Sequence, residues 1–277
     1  MAVSTAPQEL DQEAAALGRS EDAAATKRAK RGKLVRYLAM PGFLLLLNIA
    51  TFLWLSGQDL DSIERRTLTA DNLIGKAQEH VWLTLLSTTF VLLLAIPFGI
   101  LATRPRYRRF APGIIGLGNA GQAIPSFGML ALLFYLFRVT PWLPSTGTLP
   151  VVVALVGYSF LPILRNTMVG LDQVDRSVLE AGRGMGMSER RVLRRIELPL
   201  AVPVILAGIR TALVLNVGTA TLAFLFGGGG LGDVVYNGLS LRRIPITIVG
   251  AVLVATLALL VDYIASLIEE KLTPKGL

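Results

Sequence analysis

Long apolar runs separated by short charged stretches dominate this chain. The first runs from Tyr37 to Leu55, and others follow at about 81–103, 112–137, 147–168, 200–226 and 244–267. Each approaches the roughly 20 residues that a 30 Å hydrocarbon core requires of a helix. The pattern predicts an all-α, polytopic membrane protein with about six transmembrane helices. The Tyr37–Leu55 run lies too far into the chain, and is too long, for a cleaved signal peptide, so an uncleaved first span is expected. Pro97, Pro125, Pro162 and Pro203 fall inside runs, where neighbouring helices can satisfy freed backbone groups. The third run is polar in its first half. Asn119, Gln122, Pro125 and Ser126 there are candidates to line a cavity or pore.

Between the fourth and fifth runs lies a charged, arginine-rich segment, 169–198. Its pattern predicts two short helices joined by a turn. Asp172 is placed to cap the first, with Asp175 in its first turn. Val174, Val178 and Ala181 share one face at helical spacing. Gly182, Gly184 and Gly186 are expected to break the helix. Ser188 is placed to cap the second, with Met187 and Val192 spaced as a hydrophobic staple. Ile196 is expected to end that helix before Leu198-Pro199 turns the chain into the membrane. Twenty-odd residues of capped, amphipathic helix exceed what a connector needs, which suggests a docking surface.

Charge orients the chain. Of 27 Lys and Arg, 20 fall in alternate segments that include residues 1–36, 104–109 and 165–195 and the C-terminal end. Six fall in the other set, and Arg210 lies within a span. The positive-inside rule then places both termini and the arginine-rich segment in the cytoplasm. Residues 1–35 read as a disordered cytoplasmic tail, 36–270 as the membrane domain, and 271–277 as a short cytoplasmic tail. The net charge of +8 follows membrane orientation rather than nucleic-acid binding. With no cysteine and one histidine, neither thiolate nor clustered-histidine metal sites are encoded, and no cofactor is expected.

Glu180-Ala181-Gly182, then Gly186, then Ile196, Leu198 and Pro199, resembles the Glu-Ala-Ala loop of bacterial ABC-importer permeases. Gly182, where that pattern has alanine, is expected to loosen the end of the first helix. The stretches Gln122–Ser126, Leu161–Thr167, Gly208–Ala212, Ala220–Ala223 and Leu272–Leu277 are similar to the osmoprotectant branch of those permeases. The resemblance implies a type I (MetI-like) permease fold in the bacterial inner membrane. It also implies import of glycine betaine, choline, carnitine or related solutes. Two ATPase subunits would bind the loop, with Glu180 facing a basic group and Gly186 supplying the turn. A second permease copy or a homologue would complete the path. A separate extracytoplasmic substrate-binding protein is expected too, because the chain stops about ten residues beyond the last span.

Other features leave alternatives open. No Walker A sequence is present, since Gly75-Lys76 is followed by Ala77; hydrolysis is therefore expected in a partner chain, and Leu55–Gln58 resembles an ATPase signature only by chance. Arg210 and Asp262 lie inside apolar runs, where charge is costly. They could pair with each other or with separate partners, or Arg210 could snorkel. His80, beside Trp82, reads as an interfacial anchor rather than a proton relay. Gly227–Gly230 reads as a flexible turn ending the fifth span, with a gate or receptor contact as the alternative. No aromatic cluster suggests a quaternary-ammonium cage. Competing functions are a same-fold permease for another amine or amino-acid derivative, an ion-coupled transporter, and a membrane enzyme. The last two lack paired intramembrane acids, evident inverted repeats and a His or Cys cluster.

Overall fold

The computed structural model describes residues 37–273. The tail 1–35 and residues 274–277 lie outside the described residues. Contacts divide the chain into two units, one ending at Ile49 and the other beginning at Ala50. The described part of the first is the start of helix α1, Tyr37–Ser56. Leu38, Phe43, Leu45 and Leu46 on it are exposed, as suits a helix whose solvent is lipid.

In the second unit a short helix, α2 (Ser62–Thr67), is closed by a capping box between Asp61 and Glu64. Four long helices follow among the shorter ones: α3 (Ala70–Thr103), α6 (Thr148–Asp172), α9 (Leu198–Ala220) and α11 (Ile244–Leu272). Helix α6 packs along both α3 and α9, and α11 lies against α9 and α10 (Leu231–Ser240).

Three apolar clusters show how the helices run. Leu83, Leu155 and Ala220 meet in one. Val91, Leu164 and Ala212 meet in the next, and Leu171, Ala201 and Ile205 in the third. Residue numbers rise on α3 and α6 while they fall on α9. The first two helices are therefore parallel, and α9 is antiparallel to them.

The buried face of α3 carries His80, Thr84, Ser87, Thr88, Val91, Ala95, Gly99 and Ala102, a stripe of mostly small residues at helical spacing. Small residues let backbones approach closely where lipid supplies no hydrophobic drive between helices. A Cβ on Gly99 would sit 2.7 Å from the Cβ of Thr167, and one on Gly208 would sit 2.6 Å from that of Asn166. The buried Asn216 amide donates to Thr88 Oγ1 at 3.1 Å and joins α9 to α3.

Among the described residues, five helices are long and apolar enough to cross a membrane. The expected third span, 112–137, is instead a bent pair, α4 (Ala111–Ala123) and α5 (Ser126–Arg138), at 102° to each other. The break falls at Ile124, whose backbone is extended (φ −74, ψ 126), before Pro125. Proline lacks the N–H and pushes its predecessor out of the helical region. Pro97, Pro162 and Pro203 stay inside continuous helices. The expected fifth span, 200–226, stops at Ala220, and a tight turn, Ala223–Phe226, leads to the glycines. Helix α10 then occupies part of what read as a connection.

Candidate functional site

The segment 169–198 begins inside α6, which runs to Asp172. Asp172 is therefore not the cap. Asp175 is: its carboxylate accepts the Ser177 N–H at 2.8 Å and opens α7, Arg176–Gly184. The Ser177 N–H and hydroxyl hold this carboxyl below the usual aspartate range.

Of the three glycines expected to break the helix, only Gly186 is left-handed, at φ 80. The Gly186 N–H donates to Arg183 O at 2.9 Å and the Met187 N–H to Gly182 O at 3.1 Å. That pair of bonds is a complete Schellman closure. Gly182 is buried inside α7, and a Cβ there would lie 2.6 Å from Ile196 Cδ1, with Val192 and Met187 close by. The departure from alanine thus makes room for Ile196, and the helix end is tight rather than loose. Val174 is buried, whereas Val178, Ala181 and Met185 are exposed beside the exposed Glu180. The apolar face divides, and its larger part faces outward.

The turn leads to α8, Glu189–Val192. Ser188 stands at its cap position, but its side chain makes no capping bond. Arg183 instead grips Glu189 across the turn at 2.8 and 3.2 Å. Ile196 does not end this helix. A π turn, Leu193–Glu197, carries it into α9, so that Glu189–Ala220 is a single stretch of 32 residues. Pro199 lies in the first turn of α9. The N–H it lacks is one that a regular helix would need at that point, and a wider turn accommodates the loss.

Within the π turn sits Glu197, only 2% exposed. Both its oxygens are taken by Arg104, the residue just past α3, with Nη1 at 3.0 Å from Oε1 and Nη2 on Oε2. Neither residue stood out in the sequence. Arg104 was one of four loop arginines, and Glu197 filled the open position between Ile196 and Leu198. The available signal was an acid amid apolar residues at a helix start.

Arg210 and Asp262 meet. The guanidinium donates to the carboxylate at 2.6 and 2.8 Å, tying α9 to α11, and Glu269 stands 3.6 Å away. Asn119 accepts from Arg165 at 3.0 Å, and the Gln122 amide donates to Tyr158 O at 3.2 Å. Pro125 forms the bend, and Ser126 starts α5. A cavity of about 470 Å³ lies nearby, lined by apolar residues including Leu94, Ile114, Met129 and Phe160. None of those four polar-region residues lines it.

In the first third of α3, His80 is fully buried and is not an interfacial anchor. Its Nδ1 accepts the Leu231 N–H at 3.3 Å, and Nε2 lies 2.9 Å from Val217 O. An acceptor at Nδ1 and a carbonyl at Nε2 assign the neutral tautomer with the proton on Nε2. Val217 lies in the last turn of α9 and Leu231 in the first of α10, so one ring satisfies orphaned groups of two helix ends. Glu79 accepts the Gly230 N–H at 2.8 Å. Lys76 bridges Glu79 at 3.2 Å and Asp233 at 2.9 Å. The turn between these helices is held, not loose, with Gly227, Gly229 and Gly230 at positive φ.

The family described as "Binding-protein-dependent transport system inner membrane component" matches residues 95–274. The glycine betaine/carnitine/choline transport system permease protein OpuCB of Bacillus subtilis (strain 168) is 42% identical over 205 residues, 74% of this chain and 90% of that protein. The choline transport system permease protein OpuBB of the same strain is 43% identical with the same coverage. The osmoprotectant import permease protein OsmY of Salmonella typhimurium is 38% identical over 83% of this chain and 92% of its own length. Among solved structures, an inward-facing conformation of the MetNI methionine ABC transporter aligns with TM-score 0.66 at 23% identity, covering 73% of this chain and 96% of that one.

Proposed function

The chain belongs to the family of binding-protein-dependent transport system inner membrane components, and on that footing we propose that it carries small quaternary-ammonium osmoprotectants. It is a multi-pass subunit of an ABC importer, whose family works with an ATPase and a binding protein. Glycine betaine, choline and carnitine are the proposed cargo. The observation that carries this reading is identity of about two residues in five, over nine-tenths of permeases named for those solutes. A same-fold permease for another amine is the second reading, favoured only by the fold shared with a methionine importer.

In this reading the membrane domain is 36–270, and two copies, or one copy and a homologue, enclose the path. Both termini and the loop lie in the cytoplasm, where two ATPase subunits dock, and hydrolysis belongs to those subunits. Glu180 offers charge to the ATPase, and Val178, Ala181 and Met185 form the apolar ridge beside it. Gly182, Gly186, Ile196, Leu198 and Pro199 hold the loop's shape rather than touch the partner. Asn119, Gln122, Pro125 and Ser126 are proposed to border the path, where a bent pair exposes polar groups between apolar helices.

Reconstituted complex with its receptor, offered a panel of solutes, tests cargo and mechanism together. Receptor- and ATP-dependent uptake of a betaine-type solute is expected. Uptake without ATP overturns the importer reading, and uptake of an unrelated amine alone overturns the cargo. Orientation is read separately. Single cysteines at Ser188 and Thr146 meet an impermeant thiol reagent on intact cells, and labelling is expected at 146 only.

A further inference from the structure

We infer that Arg104 and Glu197 form the joint through which the docking loop moves α3, making them positioning residues for the coupling of ATP hydrolysis to solute import. The inference rests on the importer reading above.

Glu197 lies at the end of the loop's second helical segment, inside the π turn, with its side chain 3% exposed. The two bonds to Arg104 hold it to the residue that terminates α3. The Arg104 side chain, a quarter exposed, is itself braced, with Nε 3.4 Å from Ile100 O. Two planar groups joined by paired bonds fix both distance and orientation, as a single point charge would not. The loop side of the joint is rigid as well. The Schellman turn, the Arg183–Glu189 bridge and Ile196 against Gly182 leave it little internal freedom.

Folding alone gives weak reason for such a pair, because buried ion pairs are commonly replaced by apolar residues without loss of stability. Here the pair links the loop to a helix whose first third, 24 residues away, holds the turn at Gly230 through Glu79 and His80. At 1.5 Å per residue that region is about 36 Å off. A helix held at two such points carries displacement from one to the other.

The test uses the complete complex of permease, ATPase and receptor, comparing the unaltered chain with Glu197→Gln, Arg104→Glu, Glu197→Arg, the double swap and Arg104→Lys. Co-purified ATPase and basal hydrolysis report assembly; the stimulation ratio on adding solute-loaded receptor reports coupling. Glu197→Gln is expected to assemble and hydrolyse at the basal rate, with stimulation reduced about tenfold, a usual size for coupling between sites. The double swap should recover stimulation that each reversal loses, and Arg104→Lys should fall between, keeping charge without the fork. Unchanged stimulation in Glu197→Gln overturns the inference. So does loss of co-purified ATPase in step with stimulation across the set, Arg104→Lys included, since the pair is then only part of the fold. Stimulation in the unaltered complex is read first and judges the importer reading by itself.

Discussion

Two regions of α3, near its loop end and in its first third beside the glycine turn, are held by different chemistry. At the loop end, one side chain grips another, Arg104 on Glu197. At the glycine end, Glu79 and His80 bind backbone groups, the N–H of Gly230 and Leu231 and the carbonyl of Val217, beside one side-chain pair, Lys76 on Asp233. A side-chain pair depends on the identity of both partners. A grip on the backbone depends on its path and on the absence of side chains in the way. The glycine end therefore tolerates little at its glycines, and the loop end little at its charges.

The strongest test of this contrast is Gly232→Ala. A Cβ there would run into the carbonyl of Thr221, which is backbone and cannot swing aside. Overpacking of this kind costs about 3 kcal/mol, and more where backbone must shift. Loss of folded, monodisperse protein in detergent is expected; a thermal midpoint like the parent's would show that the turn is softer than described.

Next is His80→Phe, which keeps bulk and removes both ring nitrogens. Each buried group left without a partner costs about 1–3 kcal/mol. A clear fall in the unfolding midpoint is expected, together with faster amide exchange at Leu231. Glu79→Gln retains an acceptor for Gly230 and should fall less.

Gly186 separates path from contact at the loop end. Nothing lies within 4 Å of a Cβ built there, so only its φ of 80 resists a side chain. Left-handed backbone costs an ordinary residue about 1–2 kcal/mol, and a β-branched one is the poorest fit. Gly186→Val should destabilise the loop and lower solute-stimulated hydrolysis, while Gly186→Asn should come close to the parent. Equal loss in both would point to a partner touching that position.

The smallest effect is at Asp175, an exposed cap. Its folded carboxyl titrates below the ordinary value. Its contribution is therefore complete above the unfolded pKa of about 3.9 and is lost as pH falls through the folded one. Asp175→Ala should raise amide exchange at Ser177 near neutral pH. The difference from the parent should fade in strong acid.

How much of this could be read beforehand depended on the kind of information. Apolar run length marked the spans, and fixed spacing of Glu180, Gly186 and Pro199 marked the loop. Both are local signals. The bend at Pro125 was missed because four prolines look alike in sequence, and only the packing decides which one breaks its helix. The pair of Arg104 and Glu197 was missed because its members lie 93 positions apart. His80 was misread from its place beside Trp82 at the start of a span; Trp82 is exposed, which says nothing about the opposite face of the same helix. The ring's partners lie 137 and 151 residues away.

The uninterrupted helix from Glu189 to Ala220 has a geometric consequence. With no flexible connector, the angle at which the loop presents itself is set by residue count, about 100° for each residue. The one π turn along the way already shifts that phase. Inserting or deleting a single residue between Gly186 and Pro199 would turn the docking face away around the helix axis while every side chain kept its identity. The spacing that marks the loop in the sequence sets, in these terms, a rotational alignment.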